Sequence, residues 1–221
     1  MFLDRKDAAL QLARELDEYR QQPVVVLAIP RGGLSLGAII ADYLGAPLDV
    51  ALSKKIGHPL NKEYAIGAIS LEEAIISDTH GISAQYIEAE TRRIRNKLRQ
   101  RHDEYYTDKM AEDLEDKVVI IVDDGIATGN TVKVTAEFVH KKRPRMVIVA
   151  IPVAPADTVL RLQASPCIDR VVCLTPAKHF RAVGLFYRNF KQVTDEEAIK
   201  ILRDQKNDKD PSKRNLKNNQ N

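Results

Sequence analysis

The feature that most constrains the fold is a set of short apolar runs that alternate with helical patterns. Residues 24–29, 118–122 and 146–152 contain no charged side chain, which is typical of strands that are covered on both faces. Residues 34–44 and the longer stretch from 83 to about 106 have the apolar spacing of helices. Strands that alternate with helices predict an α/β fold with a parallel, doubly wound sheet.

The shorter elements of this pattern also leave signals in the sequence. Asp4 is placed to cap a first helix, which Pro23 ends. A polar loop is predicted over residues 54–63, where Gly, His and Pro interrupt the apolar pattern. The other predicted elements are strands at 48–53, 66–71, 74–77 and 168–174, and helices from 131 to about 142, at 157–163 and from about 194. The strands at 66–71 and 74–77 are close enough in sequence to pair as a hairpin.

Composition and charge limit the class of protein. The 221 residues are 44% hydrophobic and 29% charged, which suits a single globular domain and excludes a wholly disordered chain. The sequence shows neither a run of about 18 apolar residues nor a signal peptide, so a soluble, cytoplasmic protein is expected. The net charge of +3 equals the excess of positive charge in residues 206–221, so residues 1–205 are neutral and nucleic-acid binding is not expected. We therefore expect one domain over residues 1–205 and a disordered polar tail over 206–221.

The most informative segment is VVIIVDDGIATGNT, residues 118–131. A buried strand brings the adjacent carboxylates Asp123 and Asp124 to its carboxyl end, where ligands bind in open α/β sheets. The following residues are small or polar, so their N–H groups can turn inward around a phosphate monoester. They are Gly125, Ala127, Thr128, Gly129, Asn130 and Thr131. Carboxylates beside a phosphate suit the hydroxyls of a ribose, or Mg²⁺. A ribose 5-phosphate therefore fits both the acidic pair and the loop that follows it. The alternative interpretation of this segment is a tight turn without a ligand.

This motif closely resembles the signature of type I phosphoribosyltransferases that binds phosphoribosyl pyrophosphate (PRPP). The resemblance extends from about residue 2 to about residue 197, and is strongest to bacterial and archaeal proteins of undefined substrate that begin with a Phe-x-Asp-Arg helix. It implies a Rossmann-like core with a small hood, and transfer of the 5-phosphoribosyl group of PRPP to a nitrogenous base with release of pyrophosphate. It also implies Mg²⁺ as a cofactor, bound mainly through PRPP, Asp123 and Asp124, and catalytic roles for Asp123, Asp124 and Lys55.

Two further segments complete the PRPP site that the resemblance implies. Residues 28–37, AIPRGGLSLG, correspond to the pyrophosphate loop, in which the family often has a strained or cis non-proline peptide. The pyrophosphate ligands would be Arg31, Gly32, Gly33, Lys54 and Lys55, and a mobile loop over about 54–64 would close over the reacting centre. Without the resemblance, Arg31 would be an exposed residue of a βα turn and the two lysines a solvated edge. His58, in the same loop, is a weaker catalytic candidate.

The hood is expected over about residues 175–193, the most aromatic stretch of the chain. By resemblance Phe180 would stack on the base, with the backbone of Val183 nearby, although aromatic clusters are more often core or dimer contacts. A homodimer is left open. Ala127 stands where hypoxanthine–guanine enzymes carry an Asp, so the resemblance favours adenine-type or other acceptors. The base itself, and any general acid or base, are left open.

Two other classes of function are compatible with parts of the sequence. A PRPP- or nucleotide-sensing regulator on the same fold could bind RNA or DNA through residues 91–101, which carry six basic side chains on a helix. Flanking acidic residues favour a solvated helix face there instead. A phosphatase or hydrolase could use the acidic pair, but adjacent side chains on a strand point apart.

Overall fold

The structure is a computed structural model that describes residues 1–61, 64–76, 80–106 and 111–209, with side chains as far as residue 205. The strands are β1 Val24–Ala28, β2 Leu48–Val50, β3 Ser53–Gly57, β4 Ala65–Ser70, β5 Ala74–Ile76, β6 Val118–Val122, β7 Met146–Pro155 and β8 Arg170–Ala177. The helices are α1 Arg5–Glu15, α2 Gly32–Leu44, α3 Ala84–Tyr105, α4 Asn130–Lys141, α5 Ala156–Gln163 and α6 Asp195–Lys209. All the elements that the sequence predicts between residues 118 and 177 are therefore confirmed, with bounds that shift by three residues or fewer.

Five parallel strands form the central sheet in the order β2-β1-β6-β7-β8. Neighbouring residues of β1 face different cores: Val26 packs with residues of α1, α2 and α6, whereas Leu27 packs with residues of α4 and α5. Helices on both faces of a parallel sheet confirm the predicted doubly wound α/β fold. The strand order switches direction between β1 and β6, and ligands of such sheets bind at that switch point, beyond the carboxyl ends of the strands.

A second, smaller sheet is antiparallel and has the order β3-β4-β5. Its β4–β5 hairpin confirms the predicted pairing. Ile56, Ile66 and Ile69 of this sheet pack in one cluster with Ile94 and Leu98 of α3. The apolar stripe of α3 therefore holds the long helix against the small sheet.

The prediction of a polar loop beginning at Lys54 is wrong at its start, because Ser53–Gly57 is β3. The predicted strand at 48–53 also divides: β2 ends at Val50 in the central sheet, and Ser53 begins a strand of the small sheet. Pairing with β4 and burial of Ile56 stabilise β3. The strand was not predicted because its short, mostly polar sequence gives no sign of these tertiary contacts. Residues 62 and 63 of the predicted mobile loop lie outside the described residues, and its mobility stays a prediction.

Helix ends follow the sequence signals at two N-termini and depart from them at one C-terminus. The Asp4 carboxylate accepts a hydrogen bond from the N–H of Asp7 at 2.9 Å, and the Ser83 hydroxyl accepts one from the N–H of Tyr86 at 3.2 Å. The predicted tail begins too early, because α6 runs to Lys209. Once Ala198 and Leu202 are buried, extending a formed helix through polar residues costs little. Residues 210–221 lie outside the described residues.

The described residues include no helix that is both long and apolar enough to span a membrane.

Candidate active site

The two glycine-containing motifs meet at the switch point of the central sheet. The N–H of Ile29 donates a hydrogen bond to the carbonyl of Val122 at 2.8 Å, which joins the ends of β1 and β6. A Cβ on Gly33 would come within 2.5 Å of that same carbonyl oxygen, and a Cβ on Gly32 would overlap the Asp124 carboxylate. Both glycines are therefore needed for the close approach of the two loops. The structure brings together the acidic pair and the predicted pyrophosphate loop.

Asp123 and Asp124 form a largely buried acidic pair. The N–H of Asp124 donates to Oδ1 of Asp123 at 2.8 Å. Burial raises the pKa of Asp123 well above its ordinary value, and the neighbouring Asp124 carboxylate raises it further. Burial also raises the pKa of Asp124, whereas the guanidinium of Arg5 opposes that rise. The pair thus takes up its first proton at a higher pH than an exposed aspartate does.

Arg5 is a site residue that the sequence reasoning missed. Its Nε donates to Oδ2 of Asp124 at 2.8 Å, and a second guanidinium nitrogen lies 2.7 Å from the same oxygen. The third nitrogen donates to the carbonyl of Lys191 at 2.5 Å, and the guanidinium carbon lies 4.0 Å above the Phe190 ring centre. The pattern that could have identified Arg5 is Phe-x-Asp-Arg at residues 2–5. Within this pattern the sequence predicts a role only for Asp4, as a helix cap.

The predicted phosphate loop leaves β6 and enters α4. Gly125 and Gly129 have φ values of 148° and 76°, which favour glycine. Hydrogen bonds fix the loop from below: the N–H of Ile126 donates to the carbonyl of Val153 at 3.0 Å, and the Thr158 hydroxyl donates to the carbonyl of Ala127 at 3.0 Å.

The opposite side of the phosphate loop faces solvent. Ala127, Thr128 and Thr131 are exposed, Asn130 is half-buried and Gly129 is buried. Gly129 is the N-cap residue of the twelve-residue α4, so the N–H groups of Thr131 and Val132, which have no acceptor within the helix, lie at this open surface. The arrangement suits an anion with several oxygens.

Arg31 lies at the start of α2, next to Gly32, which approaches the Asp124 carboxylate. One guanidinium nitrogen donates to Oδ2 of Asp195 at 3.3 Å, and the two side chains are 30% and 48% exposed. The Pro30–Arg31 peptide is cis, as the resemblance implies for this loop. Arg31 therefore has a partner at the first turn of α6 and remains accessible to a ligand.

The two lysines of the predicted pyrophosphate set lie on opposite faces of β3. Side chains alternate along a strand, so Lys55 shares a face with Ser53, whose hydroxyl lies 3.0 Å from that of Thr135 in α4. Lys54 shares the other face with Ile56, which packs against α3. Only Lys55 is on the side of α4, the helix that the phosphate loop enters. The structure therefore separates Lys54 from Lys55.

The predicted hood covers the acidic pair and incorporates the first residues of the chain. The N–H of Phe2 donates to the carbonyl of Phe186 at 2.8 Å, and the N–H of Arg188 donates to the carbonyl of Phe2 at 2.9 Å. The Tyr187 hydroxyl donates to the carbonyl of Asp124 at 2.5 Å. The Tyr187 hydrogen bond thus joins the hood to the acidic pair, and the backbone hydrogen bonds join it to Phe2.

The two residues predicted to contact a base have different neighbours. Val183 packs directly on it, because a Cβ on Gly125 would come within 2.5 Å of a Val183 methyl group. Phe180 is half-buried and stacks on Phe186, with ring centres 5.7 Å apart. The Phe180 ring thus already has an aromatic partner on one face. His58 accepts a hydrogen bond from the N–H of Leu60 at 3.1 Å, within its own loop.

The acidic pair fits a metal ion only in combination with a ligand. Among the described residues, no group of three or more His, Cys, Asp or Glu side chains could hold a metal ion alone. Mg²⁺ is commonly held by one or two carboxylates together with substrate phosphates. Asp123 and Asp124, next to a loop suited to phosphate, match that donor set.

Known proteins with similar sequences point to one family. The family model described as the phosphoribosyl transferase domain matches residues 3–181. Two proteins of Mycobacterium tuberculosis, MT0597 and Rv0571c, are 36% identical over 208 residues and are described provisionally as phosphoribosyl transferases. The match covers 91% of this chain and 46% of theirs, so the chain spans about half the length of these relatives.

A solved structure shows the same fold along the whole match. The crystal structure of TT1426 from Thermus thermophilus shares 37% identity and a TM-score of 0.84. The match covers 91% of this chain and 97% of that one.

Proposed function

The chain belongs to the phosphoribosyl transferase family, a glycosyltransferase class of enzymes, and we propose that it transfers the 5-phosphoribosyl group of PRPP to a nitrogenous base with release of pyrophosphate. One observation carries this proposal. A buried acidic pair lies between an open, glycine-containing phosphate loop and the glycine turn that starts α2. These three parts match the three parts of PRPP: ribose, 5-phosphate and pyrophosphate.

The phosphate loop would hold the 5-phosphate. The N–H groups at the start of α4, together with the exposed hydroxyls of Thr128 and Thr131, supply donors of the kind that phosphate oxygens require. Because the hydrogen bonds to Val153 and Thr158 fix the loop from below, its donors are held in place before the ligand arrives. Binding of this remote phosphate would orient the ribose for reaction at its first carbon.

The acidic pair would hold the ribose. Carboxylates accept hydrogen bonds from vicinal hydroxyls, and their negative charge favours a ribose that becomes cation-like as the bond to pyrophosphate breaks. Arg5 takes one oxygen of Asp124 at 2.7–2.8 Å and so fixes the orientation of that carboxylate.

The leaving pyrophosphate would meet the cations of the α2 turn. Arg31 and Lys55, with the N–H groups of Gly32 and Gly33, would bind it where negative charge grows. Mg²⁺ bound to PRPP beside Asp123 and Asp124 would supply further positive charge to the same phosphates.

The decisive experiment is calorimetric titration of PRPP in the presence of Mg²⁺. The variant Asp123→Asn/Asp124→Asn should lose PRPP binding and keep its fold, checked by its thermal transition. The matched control is Asp42→Asn, an exposed aspartate near the far end of α2. Unchanged PRPP affinity in the double variant would exclude the proposed role of the pair.

We predict that hypoxanthine and guanine are poor acceptors. Ala127 has no carboxylate to offer a purine ring nitrogen, and a well-placed acid or base is worth about 10² to 10⁴ in rate. Pyrophosphate release should be measured with adenine, hypoxanthine, guanine and non-purine bases in parallel. Rapid turnover with either 6-oxopurine would contradict the prediction.

A further inference from the structure

Lys54 lies against the long helix α3. It shares a strand face with Ile56, and Ile56 packs in one cluster with Ile94 and Leu98 of α3. The Lys54 side chain is therefore directed along the surface of this helix, on the face of β3 opposite Lys55.

The α3 surface beside Lys54 carries a basic stripe. Residues four apart in a helix lie on the same face, so Arg93, Lys97 and Arg101 form one line next to the buried Ile94 and Leu98. Burial lowers the pKa of Lys54, and the charges of Lys97, Arg101 and Arg93 lower it further, with Glu90 opposing. The packing of Ile56 on Ile94 and Leu98 places the same three helix cations near the Lys54 ammonium.

Only part of this charge is neutralised by the protein. Arg93 donates two hydrogen bonds to Glu90, at 2.9 and 2.7 Å, and Arg92 pairs with Glu88 at 2.7 Å. In the parts of the chain that the structure describes, no carboxylate forms a salt bridge with Lys54, Lys97 or Arg101. Like charges that the nearby Glu90 offsets only in part raise the free energy of the folded state, and a bound anion would lower that cost.

The stripe continues toward the α2 turn through Tyr105, one helical turn after Arg101. The Tyr105 hydroxyl is buried and has no hydrogen-bond partner among the described residues. Burial raises the pKa of Tyr105, and the charges of Arg101, Asp195 and Arg31 act on the same hydroxyl. A basic surface thus extends from Lys54 along α3 to the neighbourhood of Arg31, and it ends at a buried polar group that lacks a partner.

We propose that Lys54, Lys97 and Arg101 form a second anion site, which binds the phosphate chain of inorganic pyrophosphate or of a nucleoside triphosphate. Three cations grouped on one helix and one strand suit a compact polyanion. An extended RNA or DNA strand would need a longer row, and Glu90 already pairs with Arg93, the residue that would lengthen it. The site does not depend on PRPP being the substrate.

The test is calorimetric titration of inorganic tripolyphosphate, without Mg²⁺ and with a chelator. The variant Lys97→Ala/Arg101→Ala should bind about tenfold more weakly than the unmodified chain, which corresponds to about 1.4 kcal/mol. The matched control is Arg92→Ala/Arg99→Ala, which removes the same charge from the opposite face of α3. Equal weakening in both variants, or no saturable binding to the unmodified chain, would overturn the proposal.

Two further titrations separate this site from the PRPP site and identify the source of the phosphate chain. Arg31→Ala should keep its tripolyphosphate affinity, and loss of that affinity would place the anion at the pyrophosphate position of the PRPP site and refute the second site. If PRPP does not bind while tripolyphosphate binding still depends on Lys97 and Arg101, the proposed function fails and the anion site stands. Titration of pyrophosphate and ATP then compares the two sources: tighter binding of ATP than of tripolyphosphate indicates a nucleotide, and equal binding indicates an inorganic chain.

Discussion

Two arginine–aspartate pairs flank the acidic site, and they differ in burial. The side chains of Arg5 and Asp124 are 13% and 14% exposed and meet through two nitrogens at 2.7–2.8 Å. The side chains of Arg31 and Asp195 are 30% and 48% exposed and meet through one nitrogen at 3.3 Å. Arg5 is also held by a carbonyl and an aromatic ring. The comparison indicates that Arg5 fixes a carboxylate, whereas Arg31 can exchange its carboxylate for a ligand.

The largest effect is expected from removing the buried guanidinium. Arg5→Ala leaves Asp124 buried beside Asp123 without its cation, and breaking a buried pair in this way costs about 3–5 kcal/mol. The free energy of unfolding in urea should fall by about that amount. Arg5→Lys keeps the charge but loses the paired contacts. Its free energy of unfolding should lie between those of Arg5→Ala and the unmodified chain. A loss below about 1 kcal/mol would show that the buried pair behaves like a surface pair.

The pH dependence of stability should sharpen the same contrast. Both carboxyls of the acidic pair have folded-state pKa values raised above the ordinary value of 3.8. The folded state therefore holds protons that the unfolded state has released, and the contribution of the pair to stability falls as the pH rises from 3.8 through the raised pKa values. Arg5 limits this fall by favouring ionised Asp124.

Arg5→Ala should consequently lose more stability at higher pH and less at lower pH within that window. Urea unfolding of the variant and the unmodified chain at matched pH values measures the difference between them. A difference that does not change with pH would contradict a charge-based role for Arg5. Arg31→Ala offers a comparison, because Arg31 pairs with Asp195 and not with either carboxyl of the acidic pair.

The smallest effect on stability is expected at the exposed pair. Arg31→Ala should change the free energy of unfolding by no more than about 1 kcal/mol while weakening PRPP binding about tenfold or more, because the proposed pyrophosphate contact is charge-assisted. Asp195→Asn is the matched control, which breaks the same pair but leaves Arg31 in place. Equal losses of PRPP affinity in both variants would mean that the pair itself, rather than Arg31, carries the effect.

The sequence was sufficient for β1, β6 and β7 of the central sheet because each of these strands is a continuous apolar run. The run Val118–Val122 is apolar throughout and is buried on both faces. Its local sequence alone therefore indicates that helices cover the strand on both sides. β3 lacked that property. Its stability depends on pairing with β4 and on α3, which lies about 30 residues or more further along the chain, and no short window contains those partners.

The candidate site divides in the same way. Asp123, Asp124 and the small residues after them form a continuous motif, and the structure keeps the motif together. Arg5 is 119 residues away from Asp124 in sequence, so only the folded chain brings the two together. Lys54 and Lys55 show the reverse case, in which neighbours in sequence are separated by strand alternation.

The incorporation of Phe2 and Arg5 into the hood has a consequence for the order of folding. Arg5 donates to the carbonyl of Lys191, 186 residues further along the chain. During synthesis Arg5 therefore meets Lys191 only after nearly the whole domain has been made. Until then the Arg5 guanidinium lacks one of the contacts that hold it beside Asp124, even if β1 and β6 have already paired. Closing so long a loop is slow, so completion of the acidic site should be among the last steps by which this chain reaches its native state.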